Sequence, residues 1–189
     1  MILKRVLPFS QELLTRVIEP GNSVVDATAG NGHDTVFLAE LVGEKGHVYA
    51  FDVQVEAIQS TAEKLQQANL ETRATLILDG HENVASYVET EIAAAIFNLG
   101  YLPGSNQEIV TKGASTIQAI EAILHKLKIG GIIVLVVYHG HPGGEDEKNS
   151  LMDYVRELPQ SYVHVLSYQF LNQQNNPPFI IALEKMKAK

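Results

Sequence analysis

Three acids, Asp26, Asp52 and Asp79, each close a short apolar run, and Gly30 and Gly32 follow the first of them within a loop of small residues. An acid-ended apolar run, a tight loop and a helical pattern together make a strand, a turn and a helix start. That arrangement is the usual grip for a nucleotide-like ligand. Gly30 and Gly32 let the backbone approach such a ligand, because neither has a Cβ and both can take positive φ. Asp26 brings a negative charge to the strand end, which suits a ligand with a cationic amine better than a phosphate. Asp52, about 20 residues beyond the loop, is placed to bind both hydroxyls of a ribose. A turn or helix-capping role would explain any one of these acids. It explains three at successive strand ends poorly.

Further along, Asn98 closes a fourth apolar run and Tyr101 follows it in Leu99-Gly100-Tyr101-Leu102-Pro103-Gly104. The Asn98 side-chain carbonyl, or the carbonyl of Leu99 or Gly100, could accept an N–H from a substrate, and Tyr101 could stack on a planar base. The alternative is a strand-end Asn opening a Gly-containing turn, with Tyr101 packed as a lid. A fifth run ends in Tyr138-His139-Gly140-His141-Pro142-Gly143-Gly144. Its histidines, with an ordinary pKa near 6.5, could take a proton from an ammonium group at neutral pH. His139 and His141 with Glu145 would also suggest a metal, but one His-x-His pair is a weak ligand set, and no metal is assigned. A loop that merely gates the site is the plainer reading. Asn172–Asn176, ahead of Pro177-Pro178, is either an amide-rich reader of a base or backbone or a hairpin loop held by its prolines.

Apolar runs alternating with helical patterns must position these residues, which predicts parallel βαβ units. Helices are expected at Gln11–Ile18, Asp34–Val42, Val55–Ala68, from about Glu82, at Ser115–Lys126 and at Glu145–Glu157. Strands are expected at Ser23–Ala27, His47–Asp52, Ala74–Leu78, Ala93–Asn98 and Gly131–Tyr138, with Tyr162–Phe170 and Phe179–Glu184 as a closing antiparallel hairpin. The fold class is therefore α/β, a seven-stranded and mostly parallel sheet with helices on both faces. Residues 1–189 read as one domain, with no repeat, linker or low-complexity tract.

Apolar residues make up 46% and charged residues 19%, ordinary values for a globular protein. The absence of cysteine excludes disulfides, thiolate metal sites and a cysteine nucleophile. No apolar stretch approaches the ~18–20 residues that span a bilayer, and Met1–Arg5 lacks the apolar core of a secretory signal. A cytoplasmic location with no membrane partner is expected. The net charge of −8 argues against a broad nucleic-acid surface. Any RNA contact must come from local groups such as Lys4, Arg5 and Arg16, Lys126 and Lys128, or Lys185, Lys187 and Lys189.

The loop Ala29-Gly30-Asn31-Gly32-His33-Asp34-Thr35 lacks the third small residue of a dinucleotide fingerprint, and Asp34 would repel a pyrophosphate. That weighs against a nicotinamide oxidoreductase. No P-loop pattern occurs either. The sequence here resembles the Rossmann-like class I S-adenosylmethionine-dependent methyltransferases, on Asp26–Gly32, Asp52, Asp79 and the closing hairpin. The resemblance implies that Asp26, Gly30, Asn31, Gly32, His33, Asp34 and Thr35 form the methionine end of a cofactor site. It also implies that Asp52 and Gln54 meet the ribose, that Asp79 and His81 lie by the adenine, and that Asn98 adjoins both cofactor and acceptor. Asn98 and Tyr101 are similar in position to the Asn-Pro-Pro-Tyr motif of amino-group methyltransferases, with Leu99-Gly100 replacing the prolines. Methyl transfer to nitrogen is an in-line displacement that needs an unprotonated amine about 3–3.5 Å from the methyl carbon.

Asp26–Thr35, Asn98–Gly104, Tyr138–Gly144 and Asn175–Phe179 together resemble a narrower family, the small single-domain rRNA methylases. Members are associated with methylating the amine of 5-aminomethyl-2-thiouridine at the tRNA wobble position. The resemblance implies a tRNA anticodon loop as substrate, and Asn98, Tyr101 and His139 are the expected catalytic residues. With RNA contacts left to the catalytic domain, a second subunit would widen the surface, so a homodimer is expected. An N-methyltransferase acting on rRNA or on a small amine stays open, as does a protein that holds the cofactor without catalysis.

Overall fold

In the computed structural model, residues 2–100 and 113–188 are described. The chain runs α1 (Val6–Val17), β1 (Ser23–Asp26), α2 (His33–Val42), β2 (His47–Asp52), α3 (Val55–Gln67), β3 (Ala74–Leu78) and a 3-10 turn (His81–Ser86). It continues through β4 (Ile92–Leu99), α4 (Gly113–Lys126), β5 (Leu127–Val137), α5 (Gly144–Glu157), β6 (Val163–Tyr168) and β7 (Phe179–Lys185).

Side-chain alternation explains the layers. In β4, Ala95, Phe97 and Leu99 enter one core while Ala94 and Ile96 enter the other. β5 repeats the split, with Ile133, Leu135 and Val137 against Ile132, Val134 and Val136. A strand can be apolar at every position only where both its faces are covered. Leu14 of α1, Leu38 of α2 and Leu65 of α3 supply one cover, and Ile120 of α4 and Leu151 of α5 supply the other.

The seven strands lie in the order β3-β2-β1-β4-β5-β7-β6. β1 to β5 pair in parallel, whereas β7 is antiparallel to both β5 and β6. The mostly parallel sheet with a C-terminal antiparallel strand is the one expected. The order reverses at β1 and β4, which are neighbours although two strands intervene in sequence. At such a point the following connections leave to opposite faces and open a crevice at the carboxyl ends.

Several boundaries differ from expectation. α1 starts at Val6 rather than Gln11, because Pro8 falls in the first turn, where a missing N–H costs nothing. β5 starts at Leu127 rather than Gly131, directly from α4, with an irregular register between Ile92 and Ala94. The short helix near Glu82 is a 3-10 turn. Among the described residues no helix is long and apolar enough to cross a membrane.

Candidate active site

The loop after β1 is built as a tight cradle. Ala29 N donates to the Phe51 carbonyl and Gly32 N to the Ala29 carbonyl, each at 2.8 Å. Gly32 has φ +78°, and a Cβ there would stand 2.8 Å from Thr61 Cα, so no other residue lets the loop press onto α3. Gly30 N donates to Asp52 Oδ2 at 2.9 Å and Gln54 N to Asp52 Oδ1 at 3.0 Å. Each Asp52 oxygen thus holds one backbone amide, and a carboxylate offers about four lone-pair sites. Room remains for two hydroxyl donors.

Asp26 differs from its expected stance. It is fully buried, with Oδ1 accepting from Thr28 N at 3.1 Å and Oδ2 from the Thr35 hydroxyl at 2.6 Å. Both oxygens are turned into the loop, because the last position of β1 lies beneath the cradle. Burial, followed by the neighbouring Asp34 carboxylate, pushes its pKa up to about 7. His33 is exposed and its Nε2 lies 2.8 Å from Lys64 Nζ on α3, while Asn31 is also exposed.

At the end of β3, Asp79 accepts from Tyr87 OH at 2.8 Å, Asn83 Nδ2 at 2.9 Å and Gly80 N at 2.7 Å. Those hydrogen bonds, Tyr87's first, hold its carboxyl below the usual range. Asp79 therefore organises the 3-10 turn as well as standing at the strand end. His81 is buried and gives its Nδ1–H to the Ala27 carbonyl at 3.0 Å. Burial lowers its pKa, so Nε2 keeps its lone pair, and that atom is buried with no hydrogen-bond partner.

Asn98 sits where β4 faces this cradle. Its backbone N–H donates to Thr28 Oγ1 at 2.6 Å and its side-chain Nδ2 to Asp34 Oδ2 at 2.5 Å. Burial raises the Asp34 pKa, against hydrogen bonds from Asn98 and Gln11 and the charge of His33. A Cβ built on Gly100 would lie 3.3 Å from Tyr138 Cβ and 3.8 Å from His141 Cε1. The loop after β5 thus meets the end of β4 through Tyr138 and His141. His139 turns elsewhere: its ring packs edge-on against Phe179 at 5.8 Å, and its Nδ1 is 3.5 Å from Glu145 Oε2. Tyr101 lies outside the described residues. Among the described residues no three side chains converge as metal ligands.

Gln11, Thr28, Thr61 and Tyr87 also shape the site and were not anticipated. Thr28 alone carried a signal, as the one hydroxyl in a loop of small residues. The others reach the site from α1, α3 and the 3-10 turn, at distances in sequence that leave no local pattern.

The family model described as "Putative rRNA methylase" matches residues 48–184. A curated relative, the chloroplastic tRNA (mnm(5)s(2)U34)-methyltransferase of Arabidopsis thaliana, is 35% identical over 96% of this chain and 70% of its own length. A Clostridium thermocellum protein of the same description as the family superposes with TM-score 0.97 at 41% identity, over 98% of this chain and all (100%) of that one. SMU.1697c of Streptococcus mutans, solved in complex with SAH, superposes with TM-score 0.91 at 45% identity, over 98% of this chain and 100% of its own. The family model spans the β4 end and the antiparallel closing strand, and the three relatives extend over the cradle as well. This chain belongs to the rRNA methylase family, within the class I S-adenosylmethionine-dependent methyltransferases.

Proposed function

We propose that this enzyme methylates the amine of 5-aminomethyl-2-thiouridine at the tRNA wobble position, giving 5-methylaminomethyl-2-thiouridine, with S-adenosylmethionine as donor. The observation that carries the reading is the Asn98 carboxamide, whose nitrogen is held by Asp34 so that its oxygen is left to accept a substrate N–H. The Arabidopsis relative, named for that reaction, supports it.

The residues fit the donor. Asp52 keeps lone pairs for two vicinal hydroxyls, and the buried, unpartnered His81 Nε2 asks for a donor such as a hydroxyl or amine. Val53, exposed directly after Asp52, offers an apolar side chain to a flat base. Asp79 keeps lone-pair capacity for an amine beyond its three donors. When bound, S-adenosylmethionine would supply an electrophilic methyl on a sulfonium, and it would leave as the thioether SAH once that carbon bonds to the unprotonated amine.

The chain's own work is to orient and deprotonate that amine. The Leu99 carbonyl already accepts the Tyr138 amide at 3.0 Å, and in this reading Asn98 Oδ1 takes the directing hydrogen bond. Held there, the amine lone pair has one line of approach, which is the source of rate in a displacement. His141, the histidine beside Gly100, receives the ammonium proton in this reading, while His139 braces the loop against Phe179. Tyr101 serves as the platform for a splayed-out base. The reading brings with it an anticodon loop as partner, a cytoplasmic location, one domain and a homodimer, the last checked by sizing the purified protein.

The test is methyl transfer to tRNA from a strain lacking the enzyme, followed by nucleoside mass spectrometry. A gain of one methyl on the wobble nucleoside is expected, and its absence sinks the reading. The family's own description favours rRNA as the second reading. Deproteinised rRNA from the same strain is the arm that separates the two.

A further inference from the structure

We propose that Asp34 is a positioning residue: its carboxylate locks the Asn98 carboxamide with Oδ1 toward the acceptor amine. The inference rests on the reading that the acceptor is an amine.

A carboxamide is almost symmetric in shape, but its two ends are opposite in hydrogen-bonding sense. Turned the wrong way, Asn98 would set an N–H₂ donor against the N–H donors of the substrate. Nothing in Asn98 itself prevents that. Its backbone bond to Thr28 Oγ1, 2.6 Å long, fixes where the residue is but not which end of the amide faces the crevice. Asp34 decides the matter in its ionised form, because a carboxylate then only accepts and must receive Nδ2–H, the contact seen at 2.5 Å. The carboxylate is itself anchored. It lies in the first turn of α2, where the helix dipole favours an anion. Two elements remote in sequence, α2 and β4, thereby converge on the orientation of one amide.

The competing account has Asp34 contacting the cofactor directly, and a mutant cycle separates them. Wild type, Asp34→Ala, Asp34→Asn, Asn98→Ala and the Asp34→Ala/Asn98→Ala double variant are assayed on tRNA carrying 5-aminomethyl-2-thiouridine, with SAH affinity measured by calorimetry. Asp34→Ala is expected to lower kcat about 100-fold while KM for tRNA and Kd for SAH stay within about threefold. The double variant is expected to be no slower than Asn98→Ala alone, since Asp34 has nothing left to orient. Asp34→Asn should lose less than Asp34→Ala, because its own oxygen can still accept Nδ2–H. In ligand-free protein the Asn98 side-chain amide resonances should move in both Asp34 variants. Additive losses in the double variant, or SAH binding weakened about tenfold with kcat intact, overturn the proposal. If Asp34→Ala does not fold, the same cycle with Asp34→Asn decides. A wild-type enzyme that methylates no amine on tRNA or rRNA overturns the amine reading and this inference together, and shows itself in the parent enzyme before any variant is compared.

Discussion

At Asn98 the backbone and the side chain have separate tasks. The backbone N–H joins β4 to the cradle through Thr28, and the side chain is held by Asp34. Asn98→Ala keeps the first bond and loses the second. Methyl transfer should therefore fall about 100-fold while SAH still binds, and a collapse of SAH binding would make Asn98 a structural residue instead. Asp26 lends itself to a different measurement. With its folded-state pKa raised to about 7 by burial and by Asp34, it favours the folded state most while protonated in both states. That contribution is lost as pH rises from the unfolded value, near 4, through about 7. Asp26→Asn cannot titrate, and its amide can still accept from Thr28 N and donate to Thr35 Oγ1. The melting temperature of the ligand-free variant should accordingly gain on wild type by several degrees between about pH 4.5 and pH 8. A constant offset across that range would show that Asp26 is not the titrating group.

At the scale of elements, α4 runs into β5 without a loop, and the carbonyls at the end of the helix need partners. Lys185 of β7 supplies them from across the sheet, its buried Nζ donating to Leu124 O at 2.8 Å and to Leu127 O at 2.7 Å. Lys185→Met would leave those carbonyls short of a charged donor inside the core. It should cost about 3 kcal/mol, or roughly 6–12 °C in Tm. A loss under about 1 kcal/mol would mean that water replaces the ammonium. The same contrast separates what was legible in the sequence from what was not. Strands β1, β2 and β4 and their terminal acids or amide could be read directly, because strand, loop and helix start are local patterns of alternation and small residues. Asp34 to Asn98 spans 64 residues and Lys185 to Leu124 spans 61, and periodicity carries no trace of either contact. Of the two histidines in His-Gly-His, His139 is the one singled out for catalysis from sequence. It is the packing of His139 on Phe179 and of His141 near Gly100 that points to the other.

At the scale of the whole molecule, a chain of net charge −8 must find its RNA contacts locally, and the sheet sorts the candidate lysines by end. β5 begins beside Lys126 and Lys128, and the antiparallel β7 finishes at Lys185, so this basic group lies at the edge opposite the cradle. Two of its members are already committed, Lys185 to the carbonyls after α4 and Lys128 to Val17 O at 3.3 Å and Asn22 Oδ1 at 3.2 Å. β6 runs the other way from β7, and Tyr168 at its end holds the Lys4 carbonyl at 2.7 Å. Lys4 and Arg5 therefore stand at the carboxyl-end rim, the side where Asn176 of the amide-rich loop packs 3.5 Å from a Cβ built on Gly140. On the tRNA reading, the paired substitution Lys4→Gln/Arg5→Gln should raise KM for tRNA about tenfold at low salt and leave SAH affinity unchanged. Lys126→Gln/Lys187→Gln, at the far edge, should do neither. With so few phosphates engaged, the fall of affinity with salt should be shallow, a log–log slope of about −1 to −3. Equal effects from the two pairs, or a slope near −6, would mean that the RNA wraps beyond the rim. In that case a second subunit would have to supply the missing positive surface.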